Sequence, residues 1–310
     1  MTTSTTVTKA QAWYQATRPR VFVASFVPMG IAAAVALQDG VFNLPLFVLS
    51  LLGVMFLQTA ANLVNEYADF RRGADELKQA GQGMAIKNAL LSPQEVLMGA
   101  IFTTVAGVVI GLFLLSQSGQ YLWLIGIGGV LVAITYTAGP YPLAYHGLGE
   151  VAAGIFMGPM IVLGAYYVMN PAIPAEKGVQ LSLIAFPVMF TCAAILHANN
   201  IRDLEADRLV NKLTLAVRLG IDWARIEYKG LLMLCYLSQV MLVLVGWIPP
   251  LTLLSLLVIP EAIRLSKVFD TETNALVLHI AQGQTAQLHG KIGALIVIGW
   301  LIWLVARSFL

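Results

Sequence analysis

Nine apolar runs, each long enough or nearly long enough to cross a bilayer, leave this chain few folds to choose from. They lie near 21–37, 44–65, 96–115, 121–138, 151–168, 181–198, 230–247, 250–268 and 290–306. With 58% hydrophobic and only 11% charged residues among 310, the chain carries more apolar surface than a soluble core of that length buries. Lipid offers the backbone no hydrogen bonds, so runs of this kind cross as helices. The expected fold is all-α: a polytopic membrane protein of nine transmembrane helices, one transmembrane domain over 1–310 with a polar segment at 1–20. Trp247, Pro249 and Pro250 are all that separate the seventh run from the eighth.

Orientation follows from the basic residues. Of the eighteen Lys and Arg, all but Lys177 and Arg307 fall in the N-terminal segment or after the even-numbered helices. Basic loops are retained in the cytoplasm, so the N-terminus and the loops after the second and sixth helices are expected there, and the C-terminus outside. In a bacterial cell the membrane would be the inner one. Residues 1–20 are Ser/Thr-rich and lack the order of a cleaved signal peptide, and the first helix reads as an uncleaved anchor. Cys192 and Cys235 each lie inside an apolar run and read as buried packing. The pattern calls for no nucleic acid and no obligate protein partner.

The second run ends in NLVNEYADFRRGAD, Asn62 to Asp75. On a helix, Gln58, Asn62, Asn65 and Asp69 step by four, three and four and form one polar stripe leaving the hydrocarbon. Asp75 falls off that face, but Gly73 permits the chain to turn. The sixth run ends in NNIRDLEADRLVNKLT, where Asn199, Asp203 and Asp207 again share a face and Asn200 lies beside them. The two helices are an even number of crossings apart, so both stripes emerge on one side. Aspartates are hard oxygen ligands suited to Mg²⁺, an ion that commonly bridges carboxylates to phosphate oxygens. The candidate metal ligands are Asn65, Asp69, Asp75, Asp203 and Asp207.

Basic residues cluster beside them. Arg202 and Lys212 suit the oxygens of a polyanion, as do Arg72 and Lys78 in the long loop after Asp69, a loop with the glycines and length of a lid. Arg18 and Arg20 read first as interfacial anchors and second as a diphosphate contact. The fourth helix breaks in YTAGPYPLAYHGLGE, Tyr136 to Glu150; Tyr141 and Tyr145 read as headgroup anchors. His146, His197, His279 and His289 have no metal-ligand spacing and read as polar packing. A diphosphate held by metal and cations is a good leaving group. Were its other end an isoprenoid, ionisation would leave an allylic cation seeking an electron-rich partner, for which a hydroxylated aromatic ring is the natural acceptor.

NLVNEYADFRRGAD, YTAGPYPLAYHGLGE and NNIRDLEADRLVNKLTLAVRLG together resemble the UbiA-type intramembrane prenyltransferases, and most closely the MenA-type 1,4-dihydroxy-2-naphthoate polyprenyltransferases of menaquinone synthesis. The resemblance implies nine helices around a central cavity open sideways to lipid, Mg²⁺, a polyprenyl diphosphate donor and an aromatic acceptor. On it, Asn65, Asp69 and Asp75 match the first motif and Asp203 and Asp207 the second. Asp69, Asp203 and Tyr136 are then the catalytic candidates, with Asn65, Arg72, Lys78, Asn199, Asn200, Arg202 and Lys212 binding substrate. Glu66 stands where many members have Asp, and Pro140 stands where the hydroxybenzoate branch has Lys. Related acceptors (4-hydroxybenzoate, chlorophyllide, haem, a glycerol-phosphate lipid) share the donor chemistry. A cation-coupled transporter is the rival class, but transporters set their acids near the midplane on interrupted helices rather than at helix ends beside basic loops.

Overall fold

The computed structural model describes residues 7–76, 80–81, 84–119 and 121–309. All regular structure in it is helical. A short α1 (Lys9–Thr17) leads through a 3₁₀ turn into α2 (Val23–Gln38), followed by α3 (Leu44–Arg71), α4 (Pro93–Gln117) and α5 (Leu122–Thr135). Next come α6 (Gly149–Met157), α7 (Pro159–Met169), α8 (Ala175–Ile184), α9 (Phe186–Leu209) and the short α10 (Leu215–Leu219). The chain closes with α11 (Ile221–Leu244), a 3₁₀ stretch Pro250–Val258, α12 (Ile259–Thr271) and α13 (Ala275–Arg307).

Among the described residues the nine expected segments appear in order, though not all as full spans. Helices α3, α4, α11 and α13, and the α6–α7 pair taken as one, are long and apolar enough to cross a membrane. Two more candidate spans are bent by 46°, one formed by α1 and α2 and one by α8 and α9, each long and apolar enough only when its two helices are taken together. The remaining two are shorter. Helix α5 has 14 residues, about 21 Å of rise against the ~30 Å of a hydrocarbon core. The eighth segment is the 3₁₀ stretch running into α12, whose Glu261, Arg264 and Lys267 keep it from being uniformly apolar.

Proline sets the breaks. Pro159 and Pro187 sit in the first turns of α7 and α9, where a missing N–H costs least, and the preceding helix stops just before each. The 3₁₀ stretch between Pro249 and α12 is satisfied from α11: Gln239 Nε2 donates to Thr252 O at 2.7 Å, and Ser255 Oγ donates to Gln239 Oε1 at 2.6 Å. Such pairing is what irregular backbone requires at membrane depth. Helix α13 lies against this stretch so closely that a Cβ at Gly299 would overlap the Leu251 carbonyl. One continuous core joins α2, α7, α9, α11 and α13. Against it stand α3, α4 and α5, and between the two groups lies the cavity.

Candidate active site

The cavity has a volume of about 670 Å³ and two kinds of wall. Most of its length is apolar, lined by side chains such as Leu57, Leu115, Ile125, Phe156 and Val168. One end is polar, where Asn65, Asp69, Asp75, Asn199, Asn200, Arg202, Asp203 and Lys212 all reach it.

Helix α3 continues without a break through Asp69, so the polar stripe is a true helical face. Its upper members fasten the entry of the chain: Gln58 Nε2 donates to Val21 O at 2.9 Å and Asn62 Nδ2 to Thr17 O at 3.0 Å. Gly73, at φ +70°, turns the chain as expected and carries Asp75 back to the cavity. Helix α9 delivers the second stripe. After it, Asn211 takes the left-handed conformation (φ 53°), and Lys212 N bonds back to Asp207 O at 2.8 Å. That turn drives the Lys212 ammonium inward.

The two motifs meet at Lys212. Its Nζ lies 3.3 Å from Asp69 Oδ2 and 3.7 Å from Asp207 Oδ1, with all three side chains almost wholly buried. Burial works against the ammonium charge, but the carboxylates of Asp69, Asp207 and Asp203 outweigh it and hold Lys212 protonated above the usual lysine range. Asn65 Nδ2 donates to Asp69 Oδ2 at 3.3 Å. Asp203 is gripped by Arg202, Nε to Oδ1 at 2.7 Å and Nη2 to Oδ2 at 2.6 Å.

Several residues behave differently from their sequence reading. Arg202 lines the cavity, yet its five donors all go to protein: Asp203 twice, Asn199 Oδ1, His279 Nδ1 and Gln282 Oε1. It orients Asp203 rather than presenting free donors. Arg72 does not line the cavity; its guanidinium bonds the carbonyls of Thr137 and Gly139 and stacks over Tyr145, because the break after α5 leaves those carbonyls without helical partners. Lys78 lies outside the described residues. Tyr145 is not a headgroup anchor: a 3₁₀ turn at Leu143–His146 buries it, and its hydroxyl donates to Asp69 Oδ1 at 2.9 Å. Tyr141 is exposed and stacks on His146, as an interfacial residue does. Tyr136 lines the cavity. Arg18, at φ 54°, also lines it, and among the described residues its Nε has no hydrogen-bond partner. Glu66 is buried and accepts from Ile86 N at 3.0 Å, fastening the loop that carries Gly81 and Met84 to the cavity edge. The opposed Glu66 and Ile86 had no spacing signal to betray them.

Among the described residues no three His, Cys, Asp or Glu side chains form a metal cage by themselves. The donor set fits Mg²⁺ in another way. Carboxylates from two helices already converge on one positive charge, and Mg²⁺ characteristically takes one or two protein carboxylates and completes its shell with water and substrate phosphates.

These features define a class: a polytopic helical membrane protein whose apolar cavity ends in carboxylates from α3 and α9 beside a buried lysine. The model of the UbiA prenyltransferase family matches residues 25–276. The 1,4-dihydroxy-2-naphthoate octaprenyltransferase of Bacillus subtilis is 32% identical over 292 residues, covering 94% of this chain and 93% of its own. UbiA prenyltransferase domain-containing protein 1 of Homo sapiens is 32% identical over 298 residues, 95% of this chain and 84% of its own. The apo structure of a UbiA homolog from Aeropyrum pernix superposes with a TM-score of 0.70 at 16% identity, over 91% of this chain and 98% of its own. A UbiA homolog from Archaeoglobus fulgidus bound to DMAPP and Mg²⁺ superposes at 0.62 with 14% identity, over 92% and 98%. The chain belongs to the UbiA prenyltransferase family and is an integral membrane prenyltransferase.

Proposed function

We propose that this enzyme transfers a polyprenyl group from polyprenyl diphosphate to 1,4-dihydroxy-2-naphthoate, with Mg²⁺, in menaquinone biosynthesis. The observation that carries the reading is the meeting of Asp69 and Asp207 at Lys212, at the polar end of an otherwise apolar cavity. A lipid diphosphate is polar at one end and apolar along its length, and the cavity has the same two parts. The Bacillus relative's naphthoate activity supports the acceptor; the similarity to the Homo sapiens protein at equal identity makes the acceptor the part to test.

In this reading the apolar wall takes the prenyl chain and keeps water from the reacting carbon. Lys212 and Asn199 face the diphosphate oxygens. Asn65, Asp69, Asp75, Asp203 and Asp207 would hold Mg²⁺, which when bound stabilises the charge developing on the departing diphosphate. Arg202 keeps the Asp203 carboxylate aimed at the cavity, and Tyr145 does the same for Asp69. The Tyr136 ring shields the allylic carbon as its bond to oxygen breaks. A carbon–carbon bond forms to the naphthoate ring in place of its carboxyl group, diphosphate and CO₂ leave, and the ring keeps both hydroxyls, so the product is the quinol form, a demethylmenaquinol. The polar end, with the N-terminus, faces the cytoplasm in this reading, and the C-terminus faces outward.

The test is prenyl transfer by the purified protein from a polyprenyl diphosphate, with 1,4-dihydroxy-2-naphthoate and 4-hydroxybenzoate offered in parallel, with Mg²⁺ and after chelation. Product from the naphthoate, lost on chelation, is expected. Product from the hydroxybenzoate alone would overturn the acceptor assignment. Mass spectrometry of the lipid quinones missing from cells without this gene gives the same answer independently.

A further inference from the structure

Asn199 and Asn200 are neighbours on α9 and both line the cavity, yet their amides are held opposite ways round. Asn199 Oδ1 accepts from Arg202 Nη2 at 2.8 Å. A guanidinium has only donors, so the amide oxygen must face it and the NH₂ group is left for the cavity. Asn200 is turned by Glu150, in the first turn of α6. Its Nδ2 donates to Glu150 Oε1 at 2.8 Å, and that same oxygen lies 2.9 Å from His197 Nδ1.

The state of this buried cluster follows from donor chemistry. His197 Nε2 lies 2.8 Å from Ala224 O, which can only accept, so Nε2 carries a proton. The contact between Nδ1 and Oε1 then needs one proton shared between imidazole and carboxyl. On whichever atom it rests, it lies on the line between them, and Oε1 has only a lone pair to offer Asn200. Glu227 Oε2, 3.6 Å from His197 Nε2, is the other charged group facing the ring. Glu150, His197 and Asn200 are 3%, 0% and 5% exposed, so water does not compete for these bonds. The Asn200 oxygen is thereby directed away from Glu150, and it takes no protein donor among the described residues.

We propose that Glu150, braced by His197, is a positioning residue: it fixes Asn200 with its amide oxygen toward the cavity, where that oxygen accepts a hydrogen bond from a hydroxyl of the aromatic acceptor. Asn199 presents the complementary NH₂ group to the anionic diphosphate. Two adjacent asparagines thus sort the two substrates, since the Asn200 oxygen repels phosphate oxygens and welcomes an O–H. The inference rests on the reading that the acceptor is a hydroxylated aromatic.

Glu150→Gln is the discriminating substitution because one oxygen now serves two partners. A glutamine NH₂ placed beside the neutral His197 Nδ1 satisfies the ring but can no longer accept from Asn200, whose amide then turns over. The experiment measures the KM for 1,4-dihydroxy-2-naphthoate, the KM for polyprenyl diphosphate, and the inhibition constant of the 1,4-dimethoxy analogue, which has no O–H to donate. Glu150→Gln and Asn200→Leu should each raise the acceptor KM roughly tenfold, the scale of one hydrogen bond with its buried partner left unmet. Donor KM and dimethoxy inhibition should stay within about twofold, that bond being absent from both. Combining the two substitutions should add nothing further, because Glu150 acts through Asn200.

Additive losses, or an equal rise in donor KM, would make the cluster a structural brace and overturn the proposal. So would a changed Mg²⁺ requirement in Asn200→Leu with the hydroxyl preference intact, which would put the amide oxygen on the metal. If Glu150→Gln does not fold, Asn200→Leu decides the question alone through loss or retention of that preference. Should the wild type use a different hydroxylated aromatic, the same comparison with that compound and its methyl ether tests Asn200 separately from the naphthoate assignment.

Discussion

Asp69 and Asp203 belong to different helices and are held by different cations, Lys212 and Arg202, so each is expected to be needed independently. Asp69→Asn and Asp203→Asn remove one carboxylate charge without changing shape. Each should lower Mg²⁺-dependent transfer at least ~100-fold, the cost of losing one group that stabilises developing charge. Both proteins should still insert and melt cooperatively; near-normal turnover in both would end the two-cluster model. Tyr136 calls for a different comparison. If its ring stabilises an allylic cation, the effect is about 2 kcal/mol, or about thirtyfold in rate when felt only in the transition state. Tyr136→Phe should keep most of the turnover, and Tyr136→Ala should lose about that factor at saturating donor. A fully active Ala variant would leave Tyr136 as cavity wall with no part in the chemistry, and a Phe variant as poor as Ala would assign the role to the hydroxyl instead.

Helix ends do the organising work in this protein. Helix α3 carries its stripe out to Asp69, the break after α5 folds Tyr145 back onto that aspartate, and the turn after α9 inserts Lys212 between the motifs. The loop after α3 is drawn down onto Glu66, which accepts a buried bond from Ile86 N. Deleting that acceptor in Glu66→Ala leaves a buried N–H unmet, at a cost of about 1–3 kcal/mol. The loop should then open more often. Hydrogen exchange at the Ile86 amide should accelerate by about tenfold or more, while amides in the middle of α9 stay unchanged. Unchanged exchange at Ile86 would show that other contacts hold the loop.

The bundle as a whole carries its charge almost entirely at one end, and that asymmetry argues its orientation. Cys192 and Cys235 are buried, so an added cysteine gives a clean signal. Asn88→Cys, exposed in the loop after α3, and Phe309→Cys at the far terminus should be labelled by an impermeant thiol reagent from opposite faces. Labelling from the same face would mean that one segment does not cross. The short α5 and the 3₁₀–α12 segment are the places to look, since neither reaches across as a regular apolar helix.

Periodicity and hydropathy made the all-helical architecture, the order of the segments and both acidic stripes legible from the chain itself. Those features are local: a four-residue step puts Asp203 and Asp207 on one face whatever surrounds them. Gly73 likewise marked its turn through a backbone constraint that needs no partner, whereas the breaks at Pro159 and Pro187 fall inside the runs 151–168 and 181–198 that hydropathy alone leaves continuous. The sequence could not say which cation meets which acid, because pairing depends on how helices far apart in the chain are packed. Arg202 looked like a phosphate ligand until its five donors were traced to protein, and Tyr145 looked interfacial until a 3₁₀ turn placed it on Asp69. The cluster of Glu150, His197 and Asn200 joins two helices, α6 and α9, through residues 47 and 50 positions apart, and nothing in that separation announces it. Spacing determines which residues share a helix face; only the tertiary packing determines what that face meets.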